Sequence, residues 1–167
     1  MRNLKNIDVA QIAAEKYIKS NYDIYGNLTL ENIYGVCIVN CDGNVEVKNK
    51  KIKKKLTDGF MWGEIEGDFR CPKCDKLISL EGAPKVVGRD FKCFRCPKLT
   101  SLQGTPEKVG RNFDCSDCKN IDSLRGAPKE VGGDFYCSGC YRLESLEGAP
   151  EKVGSNFYSF NCPNLKP

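Results

Sequence analysis

The sequence predicts a mainly β solenoid with a small α-helical cap at its N-terminus. The first observation is a 22-residue unit that recurs through the C-terminal part of the chain without insertion or deletion. A unit this short cannot bury its own apolar face, so successive copies must stack and share one core. The second observation is the two-residue spacing of Phe and Cys in each copy, which is the side-chain period of a strand. The third is a Gly-x-Pro motif, which favours an irregular or 3₁₀ return over an α-helix.

The N-terminal segment, residues 1–34, lies outside the repeat and carries the signals of a helix. Asp8 suits the N-cap position, and Gln11 stands where a capping-box partner belongs. The apolar residues that follow share one helical face through about Ser20: Val9, Ile12, Ala13 and Tyr17. We expect this helix to cover the N-terminal end of the solenoid, because an open end exposes unpaired strand edges. A helix that binds a partner is the alternative.

Two short strand-like segments follow the cap. One runs from Tyr34 to Val39 and the other from Val45 to Val47, and the turn-forming sequence Cys-Asp-Gly-Asn occupies residues 41–44 between them. Asp-Gly between alternating apolar residues is a strong hairpin signal. The sequence therefore predicts a β-hairpin at the start of residues 35–66.

A lysine run from Lys48 to Lys55 carries the basic character of the chain. It holds six lysines, and the net charge of +4 would be −2 without them. One interpretation is a nucleic-acid patch or a localisation signal formed by Lys50, Lys51, Lys53, Lys54 and Lys55. The other, which we favour, is a solvated return segment with Ile52 and Leu56 inward, because nucleic-acid domains usually spread basic charge across a whole face.

Residues 67–167 hold four full repeats and a partial fifth, with the unit F-x-C-x-x-C-x-x-L-x-x-L-x-G-x-P-x-x-V-G-x-x. We expect each coil to be one short strand plus an irregular back, with Phe and the first Cys pointing inward. Neighbouring strands should pair in parallel about 4.8 Å apart. Asp68, Asp90 and Asp134 form a column before the Phe, interrupted by Asn112 and Asn156. That mixture indicates turn and edge hydrogen bonding rather than paired acid catalysis.

The repeat resembles the leucine-rich repeat, since Phe91 and Cys93 match its strand leucines and Cys96 its Asn/Cys position, although Leu99 is displaced by one residue. The segment SLRGAPKEVGGDFYCSGC, residues 123–140, is similar to the SLEGAPKEVGGDFYCSGC unit of short repeat proteins common in bacteriophages and their bacterial hosts. The resemblance covers about residues 42–167. It implies a solenoid whose degenerate first coil lies within residues 35–66, a phage or prophage source, and no settled activity.

The cysteines admit a second interpretation, because two Cys-x-x-Cys pairs eighteen residues apart match zinc-ribbon spacing. Two four-cysteine zinc sites could be drawn, one from each of these sets: Cys71, Cys74, Cys93 and Cys96, then Cys115, Cys118, Cys137 and Cys140. Interstrand disulfides are a further alternative, because stacked columns place cysteines at suitable distances. Redox catalysis is weaker, because it needs an exposed thiolate at a helix N-terminus.

Three observations favour a structural role instead, with the first Cys in the core and the second Cys hydrogen-bonding the backbone of the neighbouring coil. The Phe, Leu, Pro and Val columns repeat as strictly as the cysteines, and zinc needs none of them. The last copy keeps Cys162 but has Ser159 in place of the first Cys. The residues inside the pairs, Pro-Lys and Phe-Arg in the first two copies, lack the pattern of zinc knuckles.

Composition narrows the functional classes. A chain of 167 residues with 40% hydrophobic and 29% charged residues is typical of one globular domain. Histidine is absent, which excludes nucleophile–histidine pairs and imidazole zinc sites. No apolar run suits a membrane span or a signal peptide, so we expect a cytoplasmic protein, bacterial or within an infected host cell. No acid, base, nucleophile or phosphate-loop constellation emerges, so we expect no cofactor and no enzymatic activity.

The residues that vary between copies predict a protein-binding surface on the strand face. Its basic and aromatic members are of the types enriched at interfaces: Arg70, Lys73, Arg89, Lys92, Phe94, Arg95, Arg111, Tyr136, Tyr158 and Phe160. We expect a non-enzymatic binding module, and the phage resemblance suggests an inhibitor of a host defence or regulatory protein. The alternatives are a zinc-stabilised nucleic-acid binder and a structural oligomer, for which a homodimer through the C-terminal edge is one arrangement.

Overall fold

A computed structural model describes residues 61–166, with side chains from Glu64 onward, and the backbone of three upstream strands. These parts contain thirteen short strands: β1 Leu28–Leu30, β2 Ile38–Cys41, β3 Val45–Val47, β4 Met61–Ile65, β5 Phe69–Arg70, β6 Val86–Val87, β7 Phe91–Lys92, β8 Lys108–Val109, β9 Phe113–Asp114, β10 Glu130–Val131, β11 Phe135–Tyr136, β12 Lys152–Val153 and β13 Phe157–Tyr158. The predicted helix after Asp8 and the lysine run lie outside the described residues.

The strands form two parallel sheets that the chain visits alternately. The odd-numbered strands make a seven-stranded sheet in the order β1-β3-β5-β7-β9-β11-β13, and the even-numbered strands make a six-stranded sheet from β2 to β12. Equivalent residues of successive copies pair directly, as in Phe91↔Phe113 and Val87↔Val109. The predicted parallel β solenoid is thereby confirmed.

Each coil has two strands, whereas the sequence predicted one strand and an irregular return. The second strand ends at the Val of each repeat, where a β-branched side chain points into the core. The Gly after each Val lets two coils approach closely. A Cβ added at Gly110 would overlap the carbonyl oxygen of Gly88 in the preceding coil. The rest of each return consists of turns and bends, and residues 61–166 contain no α-helix or 3₁₀ helix.

The predicted hairpin at residues 35–66 does not form. Strand β2 pairs with β4 and strand β3 pairs with β1 and β5, so the two lie in different sheets and run parallel to their neighbours. Register explains the difference, because Cys41 pairs with Ile65 in the Val column and Val45 pairs with Phe69 in the Phe column. The chain therefore passes from one sheet to the other between Cys41 and Val45, as it does between Val87 and Phe91.

One continuous core runs along the solenoid between the sheets. It is formed by the Phe, Cys, Leu and Val columns, and the four phenylalanines from Phe69 to Phe135 are fully buried. Their rings stack with centroids 5.3–5.4 Å apart, which adds to the free energy gained by burying apolar surface. In the last coil Phe157 and Val153 are only partly buried. The inward orientation predicted for Phe and the first Cys is confirmed.

No helix long and apolar enough to cross a membrane occurs in the part of the chain that the structure describes.

Candidate protein-binding surface

The strand face is bordered by the Asp/Asn column that precedes each Phe. Each side-chain oxygen in this column accepts a hydrogen bond from the backbone N–H of the equivalent residue one coil further on. The Oδ1 of Asp68 receives the N–H of Asp90 at 3.1 Å, and the Oδ1 of Asp90 receives that of Asn112 at 3.1 Å. The series continues through Asp134 to Asn156, at 2.8 and 2.9 Å. The predicted role of this column in turn and edge hydrogen bonding is confirmed.

The same carboxylates neutralise the strand cations beside them. Arg70 contacts Asp68 at 2.6 Å, and Lys92 contacts Asp90 at 2.8 Å. Burial by itself raises the pKa of Asp90, but the hydrogen bonds from Lys92 and from the N–H of Asn112 outweigh it, and the pKa lies below its ordinary value. The end of the strand face that the sequence marked as basic is therefore occupied by internal ion pairs.

Tyr136 stands at the equivalent position two coils further on and also contacts its column carboxylate. Its hydroxyl donates to the Oδ2 of Asp134 at 2.8 Å. This hydrogen bond raises the pKa of Tyr136 to about 12. The N–H of Asn156 and the hydroxyl of Tyr136 together hold the pKa of Asp134 below its usual value. With its hydroxyl engaged, Tyr136 presents its ring rather than a free polar group.

Three aromatic rings meet at this end of the strand face and form the aromatic patch: Tyr136, Tyr158 and Phe160. The rings of Tyr136 and Tyr158 stack with centroids 4.8 Å apart, and Phe160 lies 5.8 Å from Tyr158. The two tyrosines are half-buried, whereas Phe160 is 66% exposed. A large exposed apolar ring beside two ordered tyrosines is the composition of an interface anchor.

The other predicted contact residues lie in three places: the strand face, the corner before the Phe and the turn after the strand. Arg70 and Lys92 lie on the strand face in the ion pairs described above, and Phe94 is half-buried in the turn after its strand. Arg89 and Arg111 are exposed at the corner before the Phe, and Arg111 helps to lower the pKa of Asp90. These residues do not join the aromatic patch, which occupies the two coils furthest along the chain.

Lys73 and Arg95 lie in a turn after the strand, not on the strand face. The strands are only two residues long, so strand alternation does not extend to these positions. The residue before the second Cys of each coil has a left-handed backbone, with φ between 56° and 58° at the four non-glycine positions: Lys73, Arg95, Asp117 and Asn161. Gly139 occupies the fifth position at φ 71°. Gly and Asn in one column were the sequence signal of this turn, which the sequence reasoning missed.

The cysteine thiols are bound to backbone groups of neighbouring coils. Cys96 Sγ donates to the carbonyl oxygen of Cys71 at 3.4 Å and accepts the backbone N–H of Cys74 at 3.4 Å. The donation recurs in each following coil, from Cys118 to Cys93, from Cys140 to Cys115 and from Cys162 to Cys137, at 3.3–3.4 Å. The predicted hydrogen bonding of the second Cys to the adjacent coil is confirmed.

The first cysteines of the pairs lie in the core. Burial raises the pKa of Cys71, Cys93 and Cys137. All nine cysteines from Cys71 to Cys162 are free thiols. Among the described residues, no three Cys, Asp or Glu side chains are grouped so that they could hold a metal ion. The arrangement therefore offers backbone hydrogen bonding and apolar packing, and within the described residues it does not group the cysteines of the alternative zinc interpretation into a metal site.

Comparison of the chain with protein-family models, with curated proteins and with solved structures finds no match.

Proposed function

We propose that this protein is a non-enzymatic protein-binding module whose contact surface is the aromatic patch on the strand face. The observation that carries the proposal is the 66% exposure of Phe160 beside the stacked pair of Tyr136 and Tyr158. Cross-strand stacking explains the tyrosine pair as a stabilising contact within the sheet. It gives no reason for a phenylalanine to remain open to water at their edge.

The rest of the strand face supports placing the contact at this end. Arg70 and Lys92 are already paired with carboxylates, so a partner gains little from them. Interface energy concentrates in a few aromatic and arginine anchors that desolvate on binding. The resemblance to phage repeat proteins extends the proposal to an inhibitor of a bacterial host protein.

The test is a pull-down from bacterial lysate under reducing conditions, with a paired substitution Tyr158→Ala and Phe160→Ala. We expect this pair to change the free energy of unfolding by no more than about 1 kcal/mol, because both rings are at least partly exposed. It should weaken partner binding by about 2–4 kcal/mol if the rings are anchors.

The matched control is the pair Glu107→Ala and Lys129→Ala on the opposite sheet. These residues form an ion pair at 3.6 Å, so removing both leaves neither charge alone. We expect partner binding to survive in this variant. Retention of the partner by the aromatic variant and its loss from the control would place the contact on the other sheet and refute the proposal.

A further inference from the structure

The solenoid is nearly neutral, but its charge is unevenly distributed. Residues 61–166 contain 16 Lys and Arg and 15 Asp and Glu. We give the name turn face to the segments that begin at the left-handed position of each of the first four coils. Each segment has four residues: 73–76, 95–98, 117–120 and 139–142. It holds six bases and two acids, and the remainder of residues 61–166 holds ten bases and thirteen acids. The turn face therefore carries the excess positive charge of the solenoid.

The number of ion pairs also differs between the turn face and the rest of the solenoid. Away from the turn face, opposite charges pair between coils, as in Arg125 with Glu147 at 2.7 Å and Lys152 with Glu130 at 3.0 Å. On the turn face, the described structure contains only the pair of Arg95 and Asp117, at 3.2 Å. The other five bases have no carboxylate within ion-pair distance in that part of the structure: Lys73, Lys76, Lys98, Lys119 and Arg142.

A groove crosses the turn face along the solenoid axis. Its volume is about 530 Å³, and its walls come from successive coils: Lys73, Asp75, Arg95, Pro97, Asp117, Lys119 and Tyr141. Four coils at the spacing of parallel strands extend over about 14 Å, which is the length of about four extended residues. The groove is open, and its walls hold three cations and two carboxylates, so its dimensions and its net positive charge suit an extended, mostly acidic chain.

We infer that the turn face binds an acidic, extended segment of a partner protein. Carboxylates of such a segment complement Lys73 and Lys119 in the walls of the groove and the exposed Lys98 on the same turn face. No carboxylate neutralises these three lysines in the described structure. Pro97 supplies an apolar contact beside these charges. The inference rests on the proposed function only in taking the partner to be a protein.

The lining of the groove favours a polypeptide over a single-stranded nucleic acid. Nucleic-acid grooves combine cations with aromatic rings on which bases stack. Tyr141 is the aromatic ring in this groove, and the ammonium of Lys119 already lies over it, 5.3 Å from its centroid. Asp75 and Asp117 also stand in the walls, where they oppose an unbroken row of phosphates. A peptide can place neutral residues opposite these two positions.

The experiment measures fluorescence anisotropy of the full chain with a labelled peptide of about ten residues, alternating Glu and Ser, whose extended length exceeds that of the groove. The variant Lys98→Glu with Lys119→Glu should weaken binding at least about tenfold, which corresponds to 1.4 kcal/mol. The control Lys85→Glu with Lys129→Glu has the same net charge but lies on the second sheet, and it should bind the peptide like the native protein. Raising the salt from about 50 to about 300 mM should weaken native binding, because exposed charges are screened.

The measurements with the lysine variants, an oligodeoxynucleotide and the aromatic variant distinguish failure of the turn-face site from failure of the aromatic patch. Absence of peptide binding, or equal loss in both lysine variants, overturns the inference. Binding of an oligodeoxynucleotide of equal charge at least about tenfold tighter than the peptide, lost in the Lys98→Glu and Lys119→Glu variant, also overturns it and assigns the face to nucleic acid. The Tyr158→Ala and Phe160→Ala variant should bind the peptide normally. If it does and still captures the lysate partner, the aromatic patch is refuted while the turn-face site stands.

Discussion

At the residue scale, the left-handed turn is the most demanding position in the repeat. Four of its five occupants are not glycine, and a left-handed backbone costs an L-residue about 1–2 kcal/mol. Asn tolerates this conformation because its short polar side chain hydrogen-bonds locally, and Asn161 is the natural occupant in the last coil. Lys73 and Arg95 have no such compensation from their side-chain type. The turn therefore keeps two strained residues on the basic turn face.

Substituting Lys73 tests this strain. Lys73→Asn should raise the free energy of unfolding by about 0.5 kcal/mol, and Lys73→Val should lower it by about 1–2 kcal/mol, because a β-branched residue is least suited to positive φ. Urea denaturation measures both. The control is Lys76→Val, an exposed position without positive φ, which should change stability by less than about 0.5 kcal/mol. Equal effects of valine at both positions would refute the strain.

Cys96, the second cysteine of its pair, satisfies two backbone groups of the coil before it. Cys96→Ala should lower the free energy of unfolding by about 1–3 kcal/mol, because it leaves a small cavity and an unpaired carbonyl and N–H. Cys118→Asn should cost less than Cys118→Ala, since an amide can replace the thiol as donor and acceptor. Chemical denaturation under reducing conditions gives both values.

The terminal coil provides the control for the cysteine series. Cys162 makes the same bond to Cys137, but it is only half-buried. Cys162→Ala should therefore cost less than Cys96→Ala, because water can satisfy the freed carbonyl. Equal costs at both sites would contradict the assignment of the loss to buried backbone groups.

At the scale of elements, the Asp/Asn column joins one strand to the next through side chains. Asp90 accepts the N–H of Asn112 and contacts Lys92, and its folded pKa lies below the ordinary value. A carboxylate whose pKa is lowered on folding adds stability above its unfolded pKa of about 3.9, and this stability is lost as the pH falls through the folded pKa. The charged form of Asp90 therefore stabilises the sheet at neutral pH.

Asp90→Asn should flatten the acid part of the stability–pH curve, below the unfolded pKa of about 3.9, because the amide keeps the acceptor but cannot titrate. Asn112 and Asn156 show that the column accommodates an amide. Asp90→Ala should lower stability across the whole pH range, since the N–H of Asn112 loses its acceptor. Urea unfolding at several pH values makes the measurement. An Asn variant that loses stability in acid as steeply as the native protein would contradict this account.

At the scale of the whole molecule, stacking of identical units is secured by a common core and by surface pairs between coils. Glu130 lies between Lys108 and Lys152 of the neighbouring coils, at 3.2 and 3.0 Å. Exposed pairs of this kind each contribute little free energy. The charges alternate in sign from coil to coil: Lys108, Glu130 and Lys152. A pairing of strands displaced by one coil would place like charges together, so the alternation opposes it. The core supplies the stability, and the charge pattern favours the observed register.

The bonding of the cysteines in the core indicates how the stability of the protein should respond to chelators. Because the thiols donate to backbone carbonyls and the described cysteines form no metal cluster, stability should not depend on zinc. Protein purified under reducing conditions should carry well under one zinc per chain, and EDTA should leave the Tm unchanged. Structural zinc contributes folding free energy directly, so stoichiometric zinc with a lower Tm in EDTA would restore the zinc interpretation.

The sequence by itself determined the solenoid, because one 22-residue unit can bury its Phe and Cys columns only by stacking. It also indicated the thiol and Asp/Asn hydrogen bonding, since residues at identical places in stacked coils must be neighbours. The second sheet and the absence of a hairpin were decided by the tertiary structure. The turn-forming sequence between Cys41 and Val45 fits a hairpin as well as it fits a crossing between two sheets. The two strands are assigned to different sheets only by the pairing of Cys41 with Ile65 and of Val45 with Phe69.

The binding surfaces depended still more on the fold. The sequence named Arg70 and Lys92 as contact residues, but it could not show that their charges are neutralised by Asp68 and Asp90. It placed Arg95 on the strand face because it assumed a longer strand than the two residues that form. Side chains 22 residues apart become adjacent only when coils stack, so the aromatic patch and the basic turn face exist as surfaces only in the folded solenoid.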